Sequence, residues 1–172
     1  MMRHITDHHL TISTIKTSTW TCTSVSENCF NLYFIVMSGN FRIDFCNVRG
    51  LRKFFFSVYA HICFHRPDVF ALCETQVSGD SDPQDFHIPG YHLLSLFIFH
   101  RGLIMYIRDN VVYQHQQHLD CNDAEFNSLW VKFKIRSHIL HFGFLYRSPN
   151  AEREHTYNGF DALSESITRI LE

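Results

Sequence analysis

Charge of one sign is what this sequence has least of. Fifteen Lys and Arg stand against seventeen Asp and Glu, a formal net charge of −2 with thirteen His counted neutral. A pI near 6.7 gives no electrostatic signature of a nucleic-acid binder, although the His residues add positive charge below neutral pH. Long apolar runs are also absent. The best candidate, Phe30 to Met37, is interrupted by Asn31 and falls short of a membrane span. The first ten residues, MMRHITDHHL, lack the apolar core of a secretion signal. The six cysteines contain no CxxC pair and no tight framework, and Cys46, Cys63 and Cys73 sit in apolar settings. Buried free thiols are expected there, which favours a reducing compartment, nucleus or cytoplasm, over secretion.

What is present is a hydrophobic content of 45% with seventeen Phe, enough for one domain with a sizeable core. Residues 1–40 differ from the rest. Ser and Thr dominate to Ser26 without a lasting period, so this segment reads as a poorly ordered extension, with a possible edge strand after Cys29. The domain proper runs from residue 41 to 172. His4, His8 and His9 have no matching ligand set.

Asp68 to Gln76 reads DVFALCETQ. Val69 to Cys73 is apolar on both faces, the pattern of a buried parallel strand. It ends at Glu74. Ligands in open α/β sheets sit beyond the carboxyl ends of strands, so Glu74 is a candidate metal ligand or acid/base; a solvated strand-end Glu is the alternative. Upstream, Arg42 to Asn47 alternates as a strand, with Ile43, Phe45 and Asn47 on one face and Asp44 and Cys46 on the other. After Gly50, the spacing of Leu51, Phe54, Phe55, Val58, Tyr59 and Ile62 predicts an amphipathic helix that Pro67 stops. The result is a β-α-β unit with parallel strands, and Asn47 and Glu74 at one edge.

Further on, Ser78 to Gln84 reads as a loop and Ile88-Pro-Gly-Tyr91 as a turn. Leu93 to Phe99 and Leu103 to Arg108 read as extended, and residues 113–123 as a polar loop. His115, His118 and Cys121 in that loop lack a fourth zinc ligand. Leu129, Val131, Phe133 and Ile135 alternate with Lys132 and Lys134, and Ile139 to Tyr146 follows; the two segments predict a hairpin. Lys132, Lys134 and Arg136 form a small basic face that reads as solvated. Tyr157 to Leu171 predicts a closing amphipathic helix.

Asn47 in CNVRGL, Glu74 in LCETQ and Tyr146 in FLYRSPN form an ordered set, together with Pro67-Asp68, Ile-Pro-Gly-Tyr, Arg101-Gly-Leu, Arg108-Asp and Tyr-Arg-x-Pro. From about Phe41 to Glu172 this resembles the N-terminal half of the endonuclease/exonuclease/phosphatase superfamily, most of all the endonuclease domain of non-LTR retrotransposons. The resemblance implies a four-layer α/β sandwich of DNase I type that cleaves DNA phosphodiesters with Mg²⁺, or Mn²⁺ in its place. It assigns Glu74 as metal ligand, Asn47 as an orienting amide and Tyr146 as a hydrogen-bond donor to phosphate. Arg147 and Asn150 are implied as nucleic-acid contacts. Singly, Asn47 reads as a turn cap and Tyr146 as a core aromatic; as a trio they read as a site. No membrane contact and no protein partner is indicated.

The family's later Gly-Asp-x-Asn motif does not occur; Gly79-Asp80-Ser81 comes too early in the order. The expectation is therefore a sandwich truncated before its second sheet is complete, its first sheet lacking a partner layer, with low activity and doubtful stability. Two other readings stay open. One is a non-catalytic remnant that serves as a binding module. The other is a branch acting on a phosphoinositide or a small phosphodiester.

Overall fold

The computed structural model describes residues 34–36, 41–77, 81–96, 101–122 and 126–147, and residues 164 and 168. Asn150, most of the predicted closing helix and residues 1–33 lie outside them; Ser164 and Thr168 are helical.

The β-α-β unit forms as expected. Strand β2 (Phe41–Asn47) is followed by helix α1 (Leu51–His65) and strand β3 (Val69–Cys73). The two strands are parallel, with Asn47 opposite Cys73. A short strand, β1 (Phe34–Val36), pairs antiparallel with β2, as the apolar piece after Cys29 suggested. Strands β4 (Tyr91–Leu96) and β5 (Leu103–Arg108) complete a five-stranded sheet in the order β1-β2-β3-β5-β4. All five residues of β3 are buried, as a central strand covered on both faces requires.

Helix α1 is less amphipathic than its spacing predicts. Leu51, Val58 and Ile62 are buried against β3 and β5, and Phe55 packs partly. Phe54 and Tyr59, expected inside, are exposed, and so is Cys63. The apolar set spans more of the helix circumference than one sheet contact covers. Arg66, left-handed at φ 47°, ends the helix by donating its N–H to the Ile62 carbonyl, one residue before Pro67.

A second sheet corrects two expectations. Residues 112–122, most of the segment read as a loop, are not one. They hold β6 (Val112–His115), a 3₁₀ turn (Gln117–Leu119) and β7 (Cys121–Asn122). Both strands lie along the same edge of β8 (Phe126–Ile135), whose other edge carries the predicted hairpin partner β9 (His138–Arg147). The edge strand is broken between β6 and β7, and Asp120 repairs the ladder. Its Oδ1 accepts the Trp130 N–H at 2.8 Å, Gln116 N–H donates to the Trp130 carbonyl at 2.8 Å, and Asp120 Oδ2 pairs with His115 at 2.7 Å. A polar side chain, Asp120, thus replaces a backbone acceptor, which hides the strand from a hydrophobic pattern.

The first sheet also has its partner layer. Leu129, Val131, Phe133 and Phe144 pack against Ile43, Val69, Ala71, Cys73, Leu103, Met105 and Ile107 in one core between the sheets. With α1 outside, the described residues make helix, sheet and sheet layers.

Several motifs prove to be staples at the end of the first sheet remote from Glu74. Tyr91 Oη donates to the Pro67 carbonyl at 2.7 Å, and Asp109 N–H donates to the Gly90 carbonyl at 3.0 Å. Asp68 accepts the Arg42 N–H at 2.7 Å and pairs with Arg108 at 3.1 Å. Pro-Asp, Pro-Gly-Tyr and Arg-Asp therefore fix strand register.

Candidate active site

Parallel pairing carries the ends of β2 and β3 to one edge, and the chain leaves both strands through unusual backbone. Arg49, Glu74 and Gln76 are all left-handed without being glycine, at φ 46°, 51° and 52°. Such residues carry strain that the surroundings must hold, and they gather at functional sites. Here the holding is by main chain. Val48 N–H donates to the Cys73 carbonyl at 3.0 Å, Gly50 N–H to the Glu74 carbonyl at 2.8 Å and Leu51 N–H to the Thr75 carbonyl at 2.7 Å. Gly50 itself sits at φ 113°, and a Cβ there would come within 3.2 Å of Gln76 Oε1. The Asn-x-x-Gly-Leu spacing is what lets the two loops run side by side.

Antiparallel β5 begins at the same edge. Gln76 N–H donates to the Arg101 carbonyl at 2.7 Å, and Thr75, fully buried, donates its hydroxyl to that carbonyl at 3.2 Å. Thr75 N–H reaches the Gly102 carbonyl at 3.3 Å. Both neighbours of Glu74 are therefore pinned, and the carboxylate is set at the mouth between the sheets.

Tyr146 arrives from the second sheet, near the end of β9. Its Oη donates to Glu74 Oε1 at 2.9 Å across 72 residues of sequence. Burial, then this hydrogen bond and the Glu74 charge, push the phenol well above its ordinary range; Arg101 pulls in the opposite direction. Tyr146 is thus a protonated donor at neutral pH. Cys73 is driven up as well, chiefly by burial and then by Glu74, so its thiol is inert packing.

Asn47 lies at the neighbouring strand end, but its Oδ1 accepts the Arg49 N–H at 3.2 Å, the turn-capping role. Two of the three sequence-predicted side chains are in contact, and the third stands beside them. Arg147 closes β9; Asn150 lies outside the described residues.

Two residues went unassigned in the sequence. Asn127, completely buried, is directly across from Tyr146 in the β8/β9 ladder, and cross-strand pairs share a face. Arg101 is half-buried, with Nη1 inaccessible and without a hydrogen-bond partner among the described residues. The signal for Arg101 was its place: an antiparallel strand beside β3 must start where β3 ends.

A hard divalent cation takes oxygen ligands, often one or two carboxylates completed by water and substrate phosphate. Glu74 suits that role. No group of three or more His, Cys, Asp or Glu gathers into a fuller cage among the described residues. No described helix is long and apolar enough to cross a membrane.

No family model matches the chain, and no curated protein matches it. Among solved structures, the AP endonuclease LMAP from Leishmania major superposes with a TM-score of 0.58 at 14% identity. The match covers 75% of this chain and 48% of that one, so this chain spans about half the length of its structural neighbour. At that identity the likeness speaks for architecture, and the two stacked sheets with their outer helix are a partial DNase I-like fold.

Proposed function

We propose that the chain carries the metal-binding part of a DNA phosphodiesterase site, of the endonuclease/exonuclease/phosphatase superfamily and of its retrotransposon branch. The observation that carries this is the 2.9 Å hydrogen bond from Tyr146 to Glu74, a phenol and a carboxylate joined from two sheets at the carboxyl ends of β2 and β3. The DNase I-like fold and the AP endonuclease neighbour support DNA as substrate. The ordered motifs around Asn47, Glu74, Arg101 and Tyr146 support the branch.

In this reading Glu74 holds Mg²⁺ or Mn²⁺. A bound cation of that kind polarises a phosphoryl oxygen and stabilises its developing charge. Tyr146, kept protonated, turns its single O–H from Glu74 to a phosphate oxygen when substrate enters. Asn47 shapes the loop that holds Glu74 by capping its own turn. Arg147 and Asn150 contact the nucleic-acid backbone. Cleavage also needs a group to accept the proton of the attacking water. Gly-Asp-x-Asn, which supplies it in the family, does not occur in this sequence, so binding rather than turnover is the informative readout.

Calorimetric titration of the whole chain with Mn²⁺ tests the assignment. Glu74→Gln keeps the shape and removes the charge, and is expected to weaken Mn²⁺ at least about tenfold, the lower end of the loss found for disturbed metal sites. Tyr146→Phe is expected to weaken Mn²⁺ less than Glu74→Gln does, because it removes a hydrogen bond to the ligand and not the ligand itself. Equal Mn²⁺ affinity in the wild type and Glu74→Gln would sink the proposal and favour a non-catalytic binding module.

A further inference from the structure

We propose that Arg101 is the phosphate clamp of this site, its guanidinium binding a non-bridging oxygen of a nucleic-acid phosphodiester that enters beside Glu74 and Tyr146. The inference rests on the phosphodiester reading of the site and adds to it the residue that receives the substrate's charge.

Three observations meet at Arg101. Its main chain is locked to the metal-site loop: its carbonyl accepts both the Gln76 N–H at 2.7 Å and the Thr75 hydroxyl at 3.2 Å. The root of the side chain is therefore fixed relative to Glu74. Second, Nη1 is withdrawn from water without a hydrogen-bond partner among the described residues, while the residue as a whole is only half-buried. Leaving a charged donor buried and unsatisfied costs more than leaving a neutral one so, and such a group in a folded protein asks for a reason. Third, its charge reaches the Tyr146 phenol, which places the guanidinium in electrostatic range of the group proposed to touch phosphate. A planar fork of donors fits the paired oxygens of an anion such as a phosphodiester, and not a peptide or an apolar ligand; the fold's likeness to an AP endonuclease favours phosphate as that anion. With a near-neutral chain, such a local cation matters more than any long-range field.

The test is fluorescence anisotropy of a labelled short DNA duplex with the whole chain, in EDTA, over a series of salt concentrations. Arg101→Gln is expected to weaken binding about tenfold and to reduce the slope of log affinity against log salt by about one phosphate contact. Arg101→Lys is expected to keep the slope and fall between the two in affinity. Unchanged affinity and slope in a folded Arg101→Gln overturn the proposal. Should that variant fail to fold by circular dichroism, duplexes with single methylphosphonates are titrated against the wild type and Arg101→Lys. One position whose neutralisation costs the wild type more than the lysine variant supports the clamp, and a uniform cost overturns it. Arg101-dependent binding to phosphatidylcholine vesicles carrying a phosphoinositide, without such binding to duplex, overturns the nucleic-acid assignment. Mn²⁺ titration is run in parallel: loss of the Glu74 effect with the Arg101 effect intact faults the metal reading alone.

Discussion

Asp44 is almost completely buried, yet it stays charged because three donors converge on it. Arg42 Nε and Nη2 reach its two oxygens at 2.7 and 2.9 Å, and His61 Nε2 reaches Oδ2 at 2.8 Å. Burial alone would raise its pKa; the hydrogen bonds from His61 and Arg42, with their charges, outweigh it and hold the carboxyl below its ordinary range. The sign of the pH effect follows. A carboxylate whose folded pKa is depressed contributes stability above its unfolded pKa of about 3.9, and that contribution is lost as pH falls through the folded value. Asp44→Asn is therefore expected to cost about 1–3 kcal/mol at pH 7 by leaving charged donors poorly matched. The cost should shrink as pH drops below about 4. Urea unfolding of both proteins at neutral and acid pH checks this; a cost that stays constant with pH would show that Asp44 acts by shape alone. The sequence placed Asp44 on the face opposite Ile43 but gave no sign of His61, because a helix-to-strand partnership across 17 residues leaves no local pattern.

At the scale of elements, helix α1 and hairpin β8/β9 show opposite economies of space. On α1, Phe56 and Phe64 are 81% and 83% exposed, while Ile62 is 2% exposed in the core beside Val58 and Leu51. Ile62→Ala is expected to cost about 2–5 kcal/mol, and Phe64→Lys to stay within about 0.5 kcal/mol. Chemical denaturation separates the two; a large loss in Phe64→Lys would mean that the helix rests on a further surface. In the hairpin, Trp130 and Gly143 are cross-strand partners, and the indole lies where a Cβ on Gly143 would stand, with ring carbons 2.6–2.7 Å away. Gly143 is required for that close approach, since the rigid indole cannot yield as a flexible side chain would. Gly143→Ala should destabilise by about 1–3 kcal/mol, and much of that loss should vanish on a Trp130→Leu background. Undiminished loss in the double variant would place the cause in the backbone instead.

For the whole molecule, what the sequence disclosed and what it hid divide along physical lines. The β-α-β unit was legible because a fully apolar strand, a helical period and a Gly-flanked turn each leave a local trace. The strand-end places of Glu74 and Asn47 followed from that topology, and Tyr146 was singled out by its place in an ordered set of motifs. The broken edge β6/β7 was hidden because the Asp120 carboxylate does the work of a backbone acceptor there. Arg101-Gly-Leu was among the motifs, but the nearness of Arg101 to Glu74 was hidden because it depends on which strand lies beside β3, and this is a fact of tertiary pairing. The partner layer was missed for the same reason: alternation in β8 shows that one face is buried, but not against what. That layer bears on stability. The core between the sheets takes Leu129, Val131, Phe133 and Phe144 from one sheet and eight residues of β2, β3 and β5 from the other. Neither sheet can expose its side of this core without losing the burial that holds both, so the sandwich should unfold as one cooperative unit. The chain has two tryptophans; Trp20→Phe leaves Trp130 as the sole indole, a reporter confined to the second sheet. Urea transitions followed by its fluorescence and by far-ultraviolet circular dichroism are expected to coincide in midpoint and slope. Met105→Ala, on the other sheet but facing the shared core, should shift both midpoints together by the equivalent of about 2–5 kcal/mol. If it moves the circular dichroism transition and leaves Trp130 behind, the two sheets are separate folding units, and the Glu74–Tyr146 contact that spans them would then form only as the last step of assembly.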